Sequence, residues 1–132
     1  MKVKRIARRF FVYSKFIETT VNEKGREVGT FEQPILLEEN AKPVSGDGEY
    51  AIFGQRALQM LRAIVPNTYQ NRQLYKRFSL AYFIQEDDET NLTQLVELTG
   101  DEFSRKANFV LTDVREINLS IHLYFELRTK KQ

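Results

Sequence analysis

The chain has 132 residues, which fits one domain with a core of its own. It has no cysteine, and this excludes disulfide staples, a thiol nucleophile and any zinc site built on thiolates. With 20 basic and 18 acidic residues, the formal charge of +2 is too small for nucleic-acid binding over the whole surface, and no apolar run reaches the length of a membrane span.

The opening MKVKRIARRFFVY is basic, with Lys2, Lys4, Arg5, Arg8, Arg9 and Lys15 and no acid before Glu18. Its apolar run is too short for a secretory signal and lacks a small-residue cleavage site, so the expectation is a soluble product of the cytoplasm with no membrane contact. Residues 10–21, FFVYSKFIETTV, are aromatic and β-branched and predict a strand. Asn22-Glu23-Lys24-Gly25 predicts a hairpin turn, and residues 26–31 return antiparallel. The aromatics Phe10, Phe11 and Tyr13 beside basic residues suit base stacking and phosphate contact, but they suit a buried strand face better.

Pro34 precedes Ile35, Leu36 and Leu37, which start the next strand. Residues 42–54 then break regular structure, with Pro43, Ser45, Gly46, Asp47, Gly48 and Gly54 in close succession. The same stretch holds Lys42, Glu49, Tyr50, Ile52 and Phe53. A long loop with three large apolar or aromatic groups predicts a projecting contact element. In residues 55–65, Ala57, Leu58, Met60, Leu61 and Ile64 recur at helical spacing and predict one short helix ended by Pro66.

Residues 74–84, LYKRFSLAYFI, predict a strand. The acidic run Glu86, Asp87, Asp88 and Glu89 follows, and 91–107 suits a short helix or a hairpin tip. Residues 108–114 predict a strand, with Asp113 and Glu116 flanking a turn. Ile117, Leu119, Ile121, Leu123, Phe125 and Leu127 then alternate with polar neighbours, the period of an antiparallel strand with one buried face. The sum is an all-β domain over 1–132, a small antiparallel barrel or sandwich with a long projecting loop and one short helix.

No catalytic constellation emerges. The single histidine, His122, lies on the polar side of the last strand without a nucleophile at a telling spacing. The run Glu86 to Glu89 lacks the spaced acids, glycine and distal glutamate of a calcium loop. Ser45-Gly46-Asp47-Gly48 lacks the Gly-Lys-Ser/Thr of a phosphate loop. The reading expects no enzyme, no metal and no cofactor.

The order and spacing of the elements resemble one family. RRFFVYSKF leads into the Asn-Glu-Lys-Gly turn, and PILLEENAKPVSGDGEYAIFG is similar to a strand followed by a glycine-containing loop that ends in Phe-Gly. LYKRFSLAYFI is similar to the family's middle strand, and ANFVLTDVREINLSIHLYFEL to its closing hairpin. Over most of residues 8–127 the chain resembles the head-closure or stopper proteins of tailed bacteriophages. The resemblance implies a homo-oligomeric ring in the head–tail neck of the virion. A portal-bound adaptor protein would sit above it, the tail or a tail-completion protein below, and packaged double-stranded DNA in its channel. It also implies that the loop over 42–54 reaches the channel and packs against its ring mates. Arg5, Arg8 and Arg9 can pair with Glu86, Asp87, Asp88 and Glu89, either within the domain or between neighbouring copies. Two stretches depart from the pattern: 55–65, where the family has a strand, and 86–106, which is longer and more acidic. The competing readings are an OB-like single-stranded nucleic-acid binder and a neighbouring neck or tail completion protein.

Overall fold

The computed structural model describes residues 9–44, 47–85 and 88–128; the side chains at 47, 48 and 50 are outside the description. The fold is all-β. Seven strands form one antiparallel sheet and two more form a separate hairpin.

The strand expected over 10–21 is two strands, β1 (Arg9–Ser14) and β2 (Phe16–Val21), broken at Lys15. The break is held by two buried hydroxyls. Ser14 Oγ donates to the Glu32 carbonyl at 2.5 Å, and Ser79 Oγ accepts from the Phe16 amide at 2.9 Å. β1 therefore stays in the main sheet while β2 leaves it and pairs with β3 (Glu27–Phe31), as the turn at 22–25 predicts. β4 (Ile35–Glu39) returns to pair with β1, and β5 (Lys42–Pro43) follows after a two-residue corner at Asn40 and Ala41.

Residues 42–54 are not the irregular projecting loop expected from their glycines and proline. They give β5 and then helix α1 (Asp47–Phe53), with a 3-10 turn over Gly54–Gln59. The helix expected over 55–65 is overturned for its second half, which is strand β6 (Met60–Pro66). Pairing with the last strand along all seven residues outweighs a helical propensity of a few tenths of a kcal/mol per residue.

The strand expected over 74–84 is shorter. Helix α2 (Tyr69–Leu74), capped by Thr68 through the Asn71 amide, takes its start, and β7 is only Leu80–Phe83. Between them Phe78 has φ 76, a left-handed conformation rare for a bulky residue. The stretch 91–107 holds two short helices, α3 (Leu92–Leu95) and α4 (Gly100–Ser104), the second started by a Thr99–Glu102 capping box. Asp113 and Glu116 do not flank a turn; both lie within β8 (Phe109–Ile117), and the turn is at Asn118 and Leu119 before β9 (Ser120–Leu127).

The sheet order is β4-β1-β7-β8-β9-β6-β5. Its two edge strands are consecutive in the chain, so the sheet curls into a barrel that is not closed by a continuous ladder. The interior holds Phe11, Tyr13, Ala63, Val65, Phe83, Leu111, Ile121, Leu123 and Phe125. Phe83 is at its centre, stacked on Phe11 at 4.5 Å and edge-on to Phe109 and Phe125, each at 5.2 Å. Of the six apolar groups that alternate along 117–127, Ile121, Leu123 and Phe125 are fully buried, while Leu119 at the turn is 86 % exposed. Outside the barrel, Leu95, Phe103 and Ala107 pack on Val12 and Leu80, and Phe53 and Ala57 pack on Met60 and Tyr124. Among the described residues, no helix is long and apolar enough to cross a membrane.

Candidate functional site

The α1 segment is fastened to the outer wall of the barrel. β6 and β9 place Arg62 and Tyr124 opposite each other on that wall. The Glu49 carboxylate accepts from Arg62 Nη1 at 2.6 Å and from the Tyr124 hydroxyl at 3.1 Å. Burial, followed by the hydrogen bond to Glu49 and then its charge, raises the Tyr124 pKa above its ordinary value. The Phe53 ring is tilted against Tyr124 at 4.8 Å, between the Arg115 and Arg56 guanidiniums at 5.3 and 5.9 Å. Those arginines pair in turn with Asp113 at 2.6 Å and Glu126 at 2.8 Å.

Of the residues assigned to a contact loop, the fold brings together Glu49 and Phe53 and buries the second. Lys42 and Pro43 lie exposed in β5 opposite Arg62 and Leu61, and Ile52 is 54 % exposed on the outer side of α1. Gly54 has φ +63, which suits the sharp step from α1 into the 3-10 turn. Asp47, Gly48 and Tyr50 belong to α1 by backbone, and Ser45 and Gly46 lie outside the described residues.

Of the two charge clusters, Arg9, Asp88 and Glu89 are described; Arg9 stands at the start of β1, whose pairing with β7 sets Phe11 opposite Phe83. Arg9 and Gln85 line one cavity of about 650 Å³ at the end of the barrel, with Phe10, Leu61, Ile84 and Phe109. Arg5, Arg8, Glu86 and Asp87 lie outside the described residues. Glu89 is exposed. Asp88 is held within its own domain: it accepts from the Tyr82 hydroxyl at 2.5 Å and from the Thr90 amide at 2.9 Å. These hydrogen bonds, Tyr82 first, lower its pKa to about 2. A second cavity of about 590 Å³ lies beside Asp88, lined also by Tyr82, Arg105, Lys106 and Asn108.

His122 is half-buried on the outer wall opposite Ile64 and Arg115, without a hydrogen-bond partner among the described residues. Among the described residues no group of three His, Cys, Asp or Glu side chains is arranged to hold a metal ion.

The element that stands away from the body is the β2–β3 hairpin. Its base is fixed by Phe16, whose ring meets Phe31 and Phe78 edge-on, both at 5.8 Å, and by Lys76 Nζ, which donates to the Ile17 carbonyl at 3.3 Å. Beyond that base most residues are exposed, including Ile17 at 45 %, Val21 at 67 % and Val28 at 40 %, with Thr20 and Thr30 half-buried. Their side-chain hydrogen bonds are internal: Thr20 and Thr30 hydroxyls donate across the hairpin, and Asn22 Oδ1 accepts from the Lys24 and Arg26 amides. The hairpin itself is legible in the sequence, but its separation from the sheet is not. Comparison with known proteins brought no match: no family model, no curated protein and no solved structure is similar to the chain.

Proposed function

We propose that the chain is a structural subunit of a tailed-bacteriophage head–tail connector, the head-closure or stopper ring that retains packaged DNA and docks the tail. The observation that carries this reading is the free-standing β2–β3 hairpin. A two-stranded ribbon is marginal alone in water. One that leaves its sheet and exposes Ile17, Val21 and Val28 is suited to lie on another subunit. The resemblance in strand order supplies the biological setting, with an adaptor protein above the ring, the tail or a tail-completion protein below, and double-stranded DNA in the channel. In this reading the hairpin, rather than the segment 42–54, is the reaching arm, and α1 stiffens the barrel wall with Ile52 as a second contact.

The test is assembly. Native mass spectrometry and electron microscopy of the purified protein, alone and with its genomic neighbours, will give one defined ring. A variant with residues 19–28 replaced by a two-residue turn will keep the β-sheet circular dichroism spectrum and lose the ring. A protein that stays monomeric with every neck partner, and instead binds oligonucleotides with a steep salt dependence, would refute the proposal.

A further inference from the structure

The turn before β7 is strained in a way that core packing does not explain. The Ser79 amide donates to the Lys76 carbonyl at 3.1 Å, which closes a four-residue turn with Phe78 in third place. Phe78 has φ 76 there, a conformation that such turns give to glycine or asparagine. Strain of this kind persists where the surroundings enforce it, and it gathers at sites that use the side chain. The Phe78 ring is not used in the core. It is 52 % exposed, and its aromatic neighbour among the described residues is Phe16, edge-on at 5.8 Å.

Cations flank the two rings. The Arg77 guanidinium lies over the Phe78 ring at 4.9 Å, and Lys76 Nζ lies over the Phe16 ring at 5.5 Å. Each is steered by one hydrogen bond to backbone: Arg77 Nε donates to the Thr112 carbonyl at 3.1 Å, and Lys76 Nζ to the Ile17 carbonyl at 3.3 Å. The terminal nitrogens of Arg77 and the remaining ammonium hydrogens of Lys76 stay available as donors. Lys15 adjoins Phe16 in the chain, and none of these three cations has an ion pair among the described residues. Glu18, two residues beyond Phe16, and Glu32, whose amide donates to the Lys15 carbonyl, are nearby carboxylates that leave them unpaired. An exposed ring beside cations with free donors fits a polymer that presents flat bases and phosphates in turn. A duplex keeps its bases within the stack, and an acidic peptide offers the ring no flat face. We infer that the turn Lys76–Ser79 is a contact site for single-stranded nucleic acid, with Phe78 stacked on a base and Arg77, Lys76 and Lys15 on the adjoining phosphates. This inference is independent of the ring reading, which fails only if the protein also stays monomeric with its neck partners.

The test is fluorescence anisotropy of the full chain with labelled oligothymidylate and oligouridylate of about 12 nucleotides. DNA and RNA share the chemistry inferred, and binding of either supports it when a duplex of equal length binds about tenfold more weakly at the same salt. Phe78→Gly separates use from stability. It relieves the strained turn, so the denaturant midpoint will hold or rise, while affinity will fall about tenfold through the loss of one stacked base. Phe78→Tyr keeps the flat ring and will keep the affinity. Arg77→Gln will lower the slope of log affinity against log salt by about 0.7, the share of one phosphate contact on a single strand. No binding at low salt, equal binding of duplex, or full affinity after Phe78→Gly overturns the inference. So does polyglutamate that displaces the oligonucleotide as well as an unlabelled oligonucleotide does, which would mark the turn as a seat for an acidic protein.

Discussion

Gly100 lies against the backbone of Phe31 so closely that a Cβ there would stand 2.2 Å from the Phe31 carbonyl oxygen. The contact joins the start of α4 to the base of the hairpin. No side-chain rotation relieves a clash with backbone, so one segment must move. Gly100→Ala will destabilise the domain by about 1–3 kcal/mol, the usual range for overpacking, measured by chemical denaturation. Gly25→Ala is the contrast. Gly25 has φ +77 and open space around it. It will lose about 1–2 kcal/mol from backbone conformation alone. In amide spectra only the Gly100 variant will shift resonances of both α4 and Phe31.

The Glu49 carboxylate sits between two partners, with Arg62 at 2.6 Å and Tyr124 at 3.1 Å, and its side chain is 12 % exposed. Glu49→Ala leaves the Tyr124 hydroxyl and a partly covered guanidinium without their acceptor. The expected loss is about 1–3 kcal/mol. A double-mutant cycle with Arg62→Ala will give a coupling of about 0.5–3 kcal/mol, as for residues in direct contact. Additive losses would mean that the ion pair does not hold α1 to the wall.

Acid will expose the role of Asp88. Its pKa falls from the ordinary 3.8 to about 2 because Tyr82 and Thr90 donate to the charged form. A group depressed in the folded state contributes stability above its unfolded pKa and loses it as pH falls through its folded pKa. The contribution is therefore lost between about pH 4 and pH 2. Tyr82→Phe will raise the Asp88 pKa toward its ordinary value in a carboxyl NMR titration. An unchanged titration would show that the Tyr82 hydroxyl is not the cause.

Alkali will act on the barrel interior. Tyr13 is fully buried; its hydroxyl donates to the Leu74 carbonyl at 2.7 Å and accepts from the Lys76 amide at 3.0 Å. Burial pushes its pKa up to about 12, and burial together with Glu39 raises Tyr75 as well. A raised pKa means stability that is complete below the unfolded value of 10 and lost as pH rises from there toward 12. Absorbance titration will show two phenols that ionise only as the fold opens. Tyr13→Phe removes one of them and leaves Leu74 and Lys76 without their partner, at about 1–3 kcal/mol.

The sequence made the β class legible because alternation survives where one face is buried. Ile121, Leu123 and Phe125 were found this way. It failed where both faces are covered or neither is. β1 buries Phe11, Val12, Tyr13 and Ser14 in succession, so its end at Lys15 left no period to read. β6 carries Met60, Leu61 and Ile64 at helical spacing because α1 covers part of its outer face and Ile64 stays half-exposed. The regular structure of 42–54 was hidden for a related reason. Its aromatic and apolar content serves in part within the same chain, since the Phe53 ring packs on Tyr124 while Ile52 stays exposed. Conversely, the free hairpin looked ordinary, because nothing local in FIETTV says that the rest of the sheet will not cover it.

The corner between β4 and β5 gives the barrel a clasp. Asn40 lies there with a buried Oδ1 that has no hydrogen-bond partner among the described residues. Ala41 beside it is fully inside. A ladder that ran all the way round would have to break several strand pairs before its girth could change. Here the circumference is set by one two-residue link, tied on one side to β1 and on the other to β6. Opening at that link breaks no other strand pair, and amide exchange will therefore begin at β4 and β5 rather than at β8 or β9.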